Sequence, residues 1–579
     1  MAGILAPARA ARLRPPNVWD AVALLCVVGA LVAIANAARG TLVPLSAPAA
    51  THIELNPAYL PGYALRTTLR MFAALLASLL FTFTYAPLAA KSRRAGLVMV
   101  PVLDILQSVP ILGFLSFTIA FFMNLFPGRV MGLELAAIFA IFTSQAWNMA
   151  FSFHQSLSTV PGDLDEATRS FRLTGWQRFW RLEVPYAMPG LVWNTMLSMS
   201  AGWFFVVASE AITLGDQSWN LPGIGSYVAL ALARQDIAAV GWAILAMLAV
   251  ILAYDQLLFR PLVAWSAKFR VETTPGAVAP DPWVLALLRR TRVLRLGGET
   301  VGRGLAAIGG LRLSLPPPAG RMLARLGRGV PPLLGDGVFG VVVAGVVGLA
   351  LWKIGTYVSS DLTWADLGEV LLLGSITLLR VAVLMVLASL VWVPVGVWLG
   401  LRPAWARRVQ PVAQFLAAFP ANLLFPPFVL VIVHFDLNRD IWLTPLMVLG
   451  TQWYILFNVI AGAAAFPGDL REAALHFRIR GWLWWRQVIL PGVMPYYITG
   501  AITASGGSWN AAIVSEVASW GDKKLAAHGL GAYIAQATDA GDFHRIVLGV
   551  VVMSLFVVCF NRLFWRPLAA HAARRATLT

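Results

Sequence analysis

Apolar residues in this chain come in long unbroken runs, not at a period of two or in short amphipathic stripes. Runs of about 20 residues, enough to cross a bilayer core, fall near 20–38, 65–90, 97–124, 131–153, 188–212 and 238–260. They return near 337–355, 370–400, 409–433, 441–463, 494–518 and 545–564. Backbone amides in lipid must be bonded within their own segment, so the runs predict helices, about 12 of them. The strand alternation of a membrane barrel is absent. The expected fold class is therefore an all-α membrane protein. The first run is followed closely by "AIANAA", a small-residue stretch of the kind at which signal peptides are cleaved. Its length, and the equivalent first run of the second half, favour a membrane span.

The pattern repeats at an offset of about 306–310 residues. Thr67 and Arg70 answer to Thr377 and Arg380, and Pro101 and Pro110 to Pro411 and Pro420. "PGDL" occurs at 161–164 and 467–470. Glu166, Gly175, Pro185, Pro189, Trp203 and Glu210 recur as Glu472, Gly481, Pro491, Pro495, Trp509 and Glu516. Two domains are expected, 1–264 and 336–579, with about six transmembrane helices each. Both begin and end on one side, so they are parallel repeats about an axis along the membrane normal. The linker 265–335 is basic and rich in Pro and Gly ("LPPPAGRMLARLGRGVPP"). Within it, Val284–Arg295 is a candidate basic helix at an anionic lipid surface; the plainer reading is a solvated spacer.

Composition sharpens the class. Of 579 residues, 59% are apolar and only 12% charged, against about a quarter charged in soluble chains. Mean hydropathy is +0.73. The net charge of +17 is placed by topology and does not point to nucleic acid. Basic residues gather in alternate loops (Arg9, Arg12, Arg14; Lys91, Arg93, Arg94; Arg169, Arg172, Arg178, Arg181; Arg402, Arg407, Arg408; Arg574, Arg575). The intervening loops carry Glu54, Asp216, Asp361, Asp366 and Asp539. Basic loops stay inside, so both termini, and the loops 163–185 and 469–491, are expected at the cytoplasmic face. Cys26 and Cys559 form no disulfide framework or metal site. No lysine completes a P-loop, so no nucleotide-hydrolysing site is evident. No nucleophile–base constellation can be placed, and no catalytic or metal residue is assigned.

The two cytoplasmic loops are near copies, "EATRSFRLTGWQRFWRLEVPYAMP" at 166–189 and "EAALHFRIRGWLWWRQVILPGVMP" at 472–495. Asp163 with Glu166, and Asp469 with Glu472, fit a D-x-x-E helix cap. Gly175 and Gly481 are expected to supply the C-terminal turn of a first short helix. A second short helix then runs to Pro185 or Pro491, and the fifth span starts near Pro189 or Pro495. Ala167, Ala473 and Ala474 are expected to be exposed and to let a partner approach closely. One such loop alone could simply anchor at the membrane interface; two loops alike in caps and glycine spacing weigh against that.

The second copy, with Glu472, Ala473, Ala474, Gly481, Leu490 and Pro491, resembles the EAA loop of the permease subunits of type I ABC importers. The first copy departs from it at Thr168 and Val184. "GSWNAAIVSEVASWG" (507–521) and "GLGAYI" (529–534), with echoes "GWFFVVASEAITLG" and "GIGSYV", resemble the nitrate/sulfonate/taurine-type permeases. The resemblance implies a MetI-like fold present twice in one chain, in a bacterial inner membrane, with one fused chain per complex. It implies two separate ABC ATPase subunits, one per loop, which carry the ATP–Mg; this chain itself holds no cofactor. It also implies a periplasmic or lipid-anchored binding protein that delivers a small oxyanion, sulfonate or related organic solute. Asp163, Glu166, Ala167, Gly175, Asp469, Glu472, Ala473, Ala474 and Gly481 are then the ATPase-coupling residues.

Polar residues inside spans are costly and point to function. Arg70 with Glu210, and Arg380 with Glu516, are expected to form ion pairs at an outer gate. Candidates for the solute path are Gln107, Ser108, Gln145, Asn148, Asn194, Ser209, Asn422, Gln452, Asn458, Ser508, Asn510 and Ser515; each is equally a candidate helix–helix hydrogen bond. Pro110 and Pro420 are expected to break the third span. An ion-coupled secondary transporter of the major-facilitator kind shares the twelve spans and parallel halves. It leaves the paired loops unexplained and calls for an acidic loop where "KSRRAGL" and "RPAWARR" stand.

Overall fold

The computed structural model of the protein describes residues 52–214, 217–269, 291–312, 332–464, 468–520 and 523–576, with isolated positions outside these ranges. Among them, eight helices are long and apolar enough to cross a membrane, and three strongly bent pairs bring the number to 11. Each falls on one of the expected runs; the run expected at 20–38 lies mostly outside the described residues. Cys26 and most of the linker are outside them too. The fold is all-α, with repeated domains in a membrane protein.

The chain packs as two compact units that cut across the sequence repeat. The smaller one gathers 1–39, 161–189 and 256–314, and so holds the first cytoplasmic loop and part of the linker. A linker helix covers Arg292–Gly310; of the expected Val284–Arg295, residues 285–290 lie outside the described set.

The larger unit holds the remaining spans of both halves. Small residues let its helices approach. A Cβ at Gly396 would run into Val459, one at Gly400 into Ala463, and one at Gly500 into the Tyr454 carbonyl. Close backbone approach of this kind is how helices associate where lipid supplies no hydrophobic drive. The third spans break as expected: Arg93–Gln107 meets Leu112–Leu125 at 88°, and Arg408–Ala418 meets Ala421–His434 at 81°. The fourth span differs between halves. Val130–Ser158 is continuous, while Arg439–Leu449 and Gln452–Ala464 meet at 45°.

Two expectations about the fifth span need correction. The apolar runs 188–212 and 494–518 are not helical to their ends. The helices stop at Glu210 and Ser515. Two hairpins follow, Ala211–Leu214 with Gln217–Asn220 and Val517–Trp520 with Lys523–Ala526, both antiparallel. Their base is closed by Leu221 N donating to Glu210 O and Ala527 N to Glu516 O, each at 2.9 Å. At the other end, the second short helix and the fifth span are one continuous helical run, Gly175–Glu210 and Gly481–Ser515. Pro185 and Pro491 do not break it, because a π-helical turn precedes each, at Phe179–Glu183 and Trp485–Ile489. Val184 N and Leu490 N reach back five residues, to Phe179 O and Trp485 O. The extra residue in the turn accommodates a proline ring that would otherwise meet the carbonyl four residues before it.

Candidate coupling elbows, buried ion clusters and central cavity

Each cytoplasmic loop folds as a two-helix elbow. The first elbow's helix Gly162–Ser170 has Pro161 at its cap position and no side-chain cap bond. Asp163 is therefore not the cap. It lies in the first turn with Asp165, where a negative charge complements the helix dipole. The helix ends in a Schellman turn in which Leu173 N donates to Thr168 O (3.1 Å) and Arg172 N to Arg169 O (2.9 Å). The left-handed residue is Arg172, φ 50°, and not the expected Gly175. Gly175 instead opens the next helix behind a Thr174–Gln177 capping box. The second elbow repeats this: Gly468–His476 ends with Arg478 at φ 53° and Ile479 N on Ala474 O at 2.9 Å. Gly481 does hold a positive φ, 60°, but at the start of the second helix. Glu166, Ala167 and Glu472 are exposed, but Ala473 is half-buried and Ala474, expected exposed, is buried because it faces inward from the short helix; the Asp469 side chain is outside the described set.

Where the fifth helix ends, each half buries an ion cluster. In the first half, Arg70 Nη1 and Thr67 Oγ1 both donate to Glu210 Oε1 at 2.7 Å. Gly225 N donates to Glu210 Oε2 at 2.6 Å, and Ile224 N to Thr67 Oγ1 at 3.0 Å. The carboxylate thereby sits on the N-terminus of the helix Ile224–Ala233. In the second half, Arg380 Nη1 (3.2 Å) and Thr377 Oγ1 (2.9 Å) donate to Glu516 Oε1, and Ala532 N donates to Glu516 Oε2 at 3.0 Å. Leu530 N donates to Thr377 Oγ1 at 2.9 Å. Both expected pairs are thus in contact.

Sequence reasoning missed the third charged member. Arg70 also forms a bidentate pair with Glu134 through Nε and Nη2. Arg380 Nη2 donates to Asp440 Oδ1 at 2.9 Å. Glu134 and Asp440 are 306 residues apart, so the repeat offset carried the signal. The two clusters differ in wetness. Arg70 and Glu210 are 3% and 0% exposed, whereas the Asp440 side chain is 34% exposed and bonds His528, itself 70% exposed. Gly223 and Gly529 are required beside the clusters, since a Cβ at either would fall inside the glutamate carboxylate.

Between the two halves of the larger unit lies a cavity of about 170 Å³. Of the expected path residues, Gln107, Asn148 and Asn510 line it, joined by Ser144, Ser198 and Thr451. Its aromatic wall includes Trp147, Phe204, Trp453 and Tyr454, and none of its lining residues is charged. Most of the other candidates bond protein groups, on a neighbouring helix or, for Ser209 and Asn458, on their own. Gln145 meets Met71 Sδ and Met199 Sδ, Ser209 bonds Val206 O, and Gln452 accepts from Trp392 Nε1. Ser508 bonds Thr451 Oγ1, Asn194 bonds Ser152, and Asn458 bonds Tyr454 O. Ser515 is fully buried; the Ser108 side chain is outside the described set. The halves are clasped across the cavity. Asn510 Oδ1 accepts from Ile111 N at 2.7 Å, and Asn422 Nδ2 donates to Phe204 O at 3.2 Å.

The sequence matches the model of one protein family twice, at residues 80–259 and 392–566, together more than half of the chain; that family is described as binding-protein-dependent transport system inner membrane component. Among similar curated proteins, the nitrate import permease protein NrtB of Leptolyngbya laminosa is 25% identical over 32% of this chain and 63% of its own length. The bicarbonate transport system permease protein CmpB of Synechococcus elongatus is 28% identical over 32% of this chain and 64% of its own. The glycine betaine/proline betaine transport system permease protein ProW of Escherichia coli is 29% identical over 31% and 48%. Each match spans less than two thirds of the relative's own length. Each family match contains one elbow, and together they cover more than half of the chain, which therefore belongs to the binding-protein-dependent transport system inner membrane component family.

Proposed function

We propose that this chain forms the whole solute pathway of an ABC importer, with both permease domains, 1–264 and 336–579, fused in one chain. The elbows at 163–185 and 469–491 each seat one separate ATPase subunit at the cytoplasmic face, and a solute-binding protein docks on the opposite face. The observation that carries this reading is the second half's continuous helix Gly481–Ser515, which joins an elbow at one end to the buried Glu516 cluster at the other. A push on the elbow is then carried to the cluster along one hydrogen-bonded helical run, with no break in the chain between them. The first half has the same run, Gly175–Glu210.

The cavity supports a small polar solute held by hydroxyls, amides and aromatic faces, with no fixed charge to trap it. The relatives' cargoes are nitrate, bicarbonate and betaines. A small oxyanion, sulfonate or related organic solute is consistent with those and with the cavity's size. An ion-coupled secondary transporter needs a titratable group on the path, and none of the cavity-lining residues is one in the neutral pH range. Co-purification of an ATPase subunit with the intact chain tests the proposal. Glu166→Lys together with Glu472→Lys, at exposed elbow positions, should lose that subunit while the chain stays folded. Retention of the ATPase by the double variant contradicts the assignment.

A further inference from the structure

The two elbows are alike in backbone and unlike in what covers them. In the smaller unit, the linker helix Arg292–Gly310 is fastened by its C-terminus to the first elbow. Trp176 Nε1 donates to Ile308 O at 2.8 Å, and Gln177 Nε2 donates to Gly310 O at 2.9 Å. The side chains thereby cap the last turn of the helix, where Ile308 O accepts from Leu311 N as well. At the corresponding positions the second elbow has Trp482 and Leu483. Leucine cannot make the amide bond, and Trp482 is 73% exposed.

The strapped elbow encloses a pocket of about 490 Å³ lined by Arg172, Arg181 and Arg312, together with Gln177, Gly310 and Phe171. The three arginines come from three separate stretches: the left-handed turn, the π-helical turn, and the residues just past the linker helix. No acidic residue lines the pocket. The elbow's nearby carboxylates are engaged elsewhere, since Asp165 pairs with Arg169 and Arg178, and Glu183 with Arg178. Among the described residues, none of the three pocket arginines is ion-paired. Phe171, in the pocket lining, is 78% exposed, and on or just past the adjoining linker helix Leu305 is 61% exposed and Ile308 and Leu311 49% each. Here again the second elbow differs, carrying Gln487 where the first carries Arg181.

We propose that this pocket binds the phosphate of an anionic phospholipid headgroup, with the neighbouring apolar side chains meeting the acyl region. Guanidinium groups match phosphate oxygens bidentately, and basic pockets beside membrane helices recognise anionic headgroups. The apolar rim is what distinguishes a lipid from a free phosphate in this site. The lipid pins the linker to one elbow only, so the two elbows are mechanically distinct.

The test uses the purified full chain, immobilised in detergent, and measures retention of short-chain phosphatidylglycerol, short-chain phosphatidylcholine and inorganic phosphate. The wild-type chain should retain phosphatidylglycerol over the other two. Arg181→Gln with Arg312→Gln should weaken that retention about tenfold or more. Glutamine already stands at the equivalent position 487, so the fold should tolerate it. The control Arg480→Gln, on the second elbow, should leave retention unchanged. Undiminished phosphatidylglycerol retention in the double variant overturns the proposal. Inorganic phosphate held as tightly as the lipid overturns the lipid assignment. Lipid retention that survives while an associated ATPase subunit is lost overturns it in favour of a protein partner.

Discussion

Arg380 reaches across 3.2 Å to Glu516, the residue immediately beyond the long helix Gly481–Ser515, while its other nitrogen holds Asp440 at 2.9 Å. The same triad in the first half is drier, with Arg70 3% exposed between two buried glutamates. Removing one member of a buried ion pair costs about 3–5 kcal/mol because the partner's charge is stranded. Arg70→Met should therefore lower the melting temperature of the purified chain more than Arg380→Met, whose partner Asp440 can turn to water. Glu516→Arg should abolish uptake, and adding Arg380→Glu should restore part of it. A double variant as dead as the single one removes the pairing from the account.

Gly529 makes a second, steric prediction. Its position against the Glu516 carboxylate leaves no room for a methyl group. Gly529→Ala should destabilise the chain by about 1–3 kcal/mol, as overpacking does. Gly506→Ala, within the fifth helix and facing open space, should melt like the wild type. Equal melting of the two variants contradicts the geometry.

The elbow turn predicts the opposite sign. Arg478 pays for a left-handed conformation at φ 53°, which costs a residue with a Cβ about 1–2 kcal/mol. Arg478→Gly should be neutral or stabilising by roughly 1 kcal/mol, and Arg478→Val destabilising. Thermal unfolding of the two variants checks the order.

These elbows also show where sequence reading ran out. Long apolar runs and charges repeated at one offset were legible, because burying them in lipid is expensive and chains rarely do so twice without cause. The third acid was not. Glu134 lies in an apolar run buried on several sides, where helical periodicity does not say which face meets Arg70. The hairpins were missed because "AITL" after Glu210 is as apolar as the helix before it. The continuous helix through Pro185 and Pro491 was missed because proline normally ends a helix, and the π-helical turn that rescues it has no short motif. The left-handed arginines went unseen because a nearby glycine offered the cheaper solution.

For the cavity, Gly506 is the position where added volume enters open space beside Asn510. Gly506→Leu should reduce uptake to background while the chain still co-purifies with the proposed ATPase subunits. Uptake at the wild-type level in this variant would place the solute path elsewhere.

The central claim is that ATP hydrolysis on separate subunits reaches the membrane through the two elbows. The most direct measurement is solute uptake by vesicles containing the intact chain, its ATPase and its binding protein, with and without ATP, and with an uncoupler. Uptake should require ATP, persist in the uncoupler, and vanish with Glu166→Lys plus Glu472→Lys. Uptake that ignores ATP, survives the double variant and collapses with the uncoupler would contradict the account.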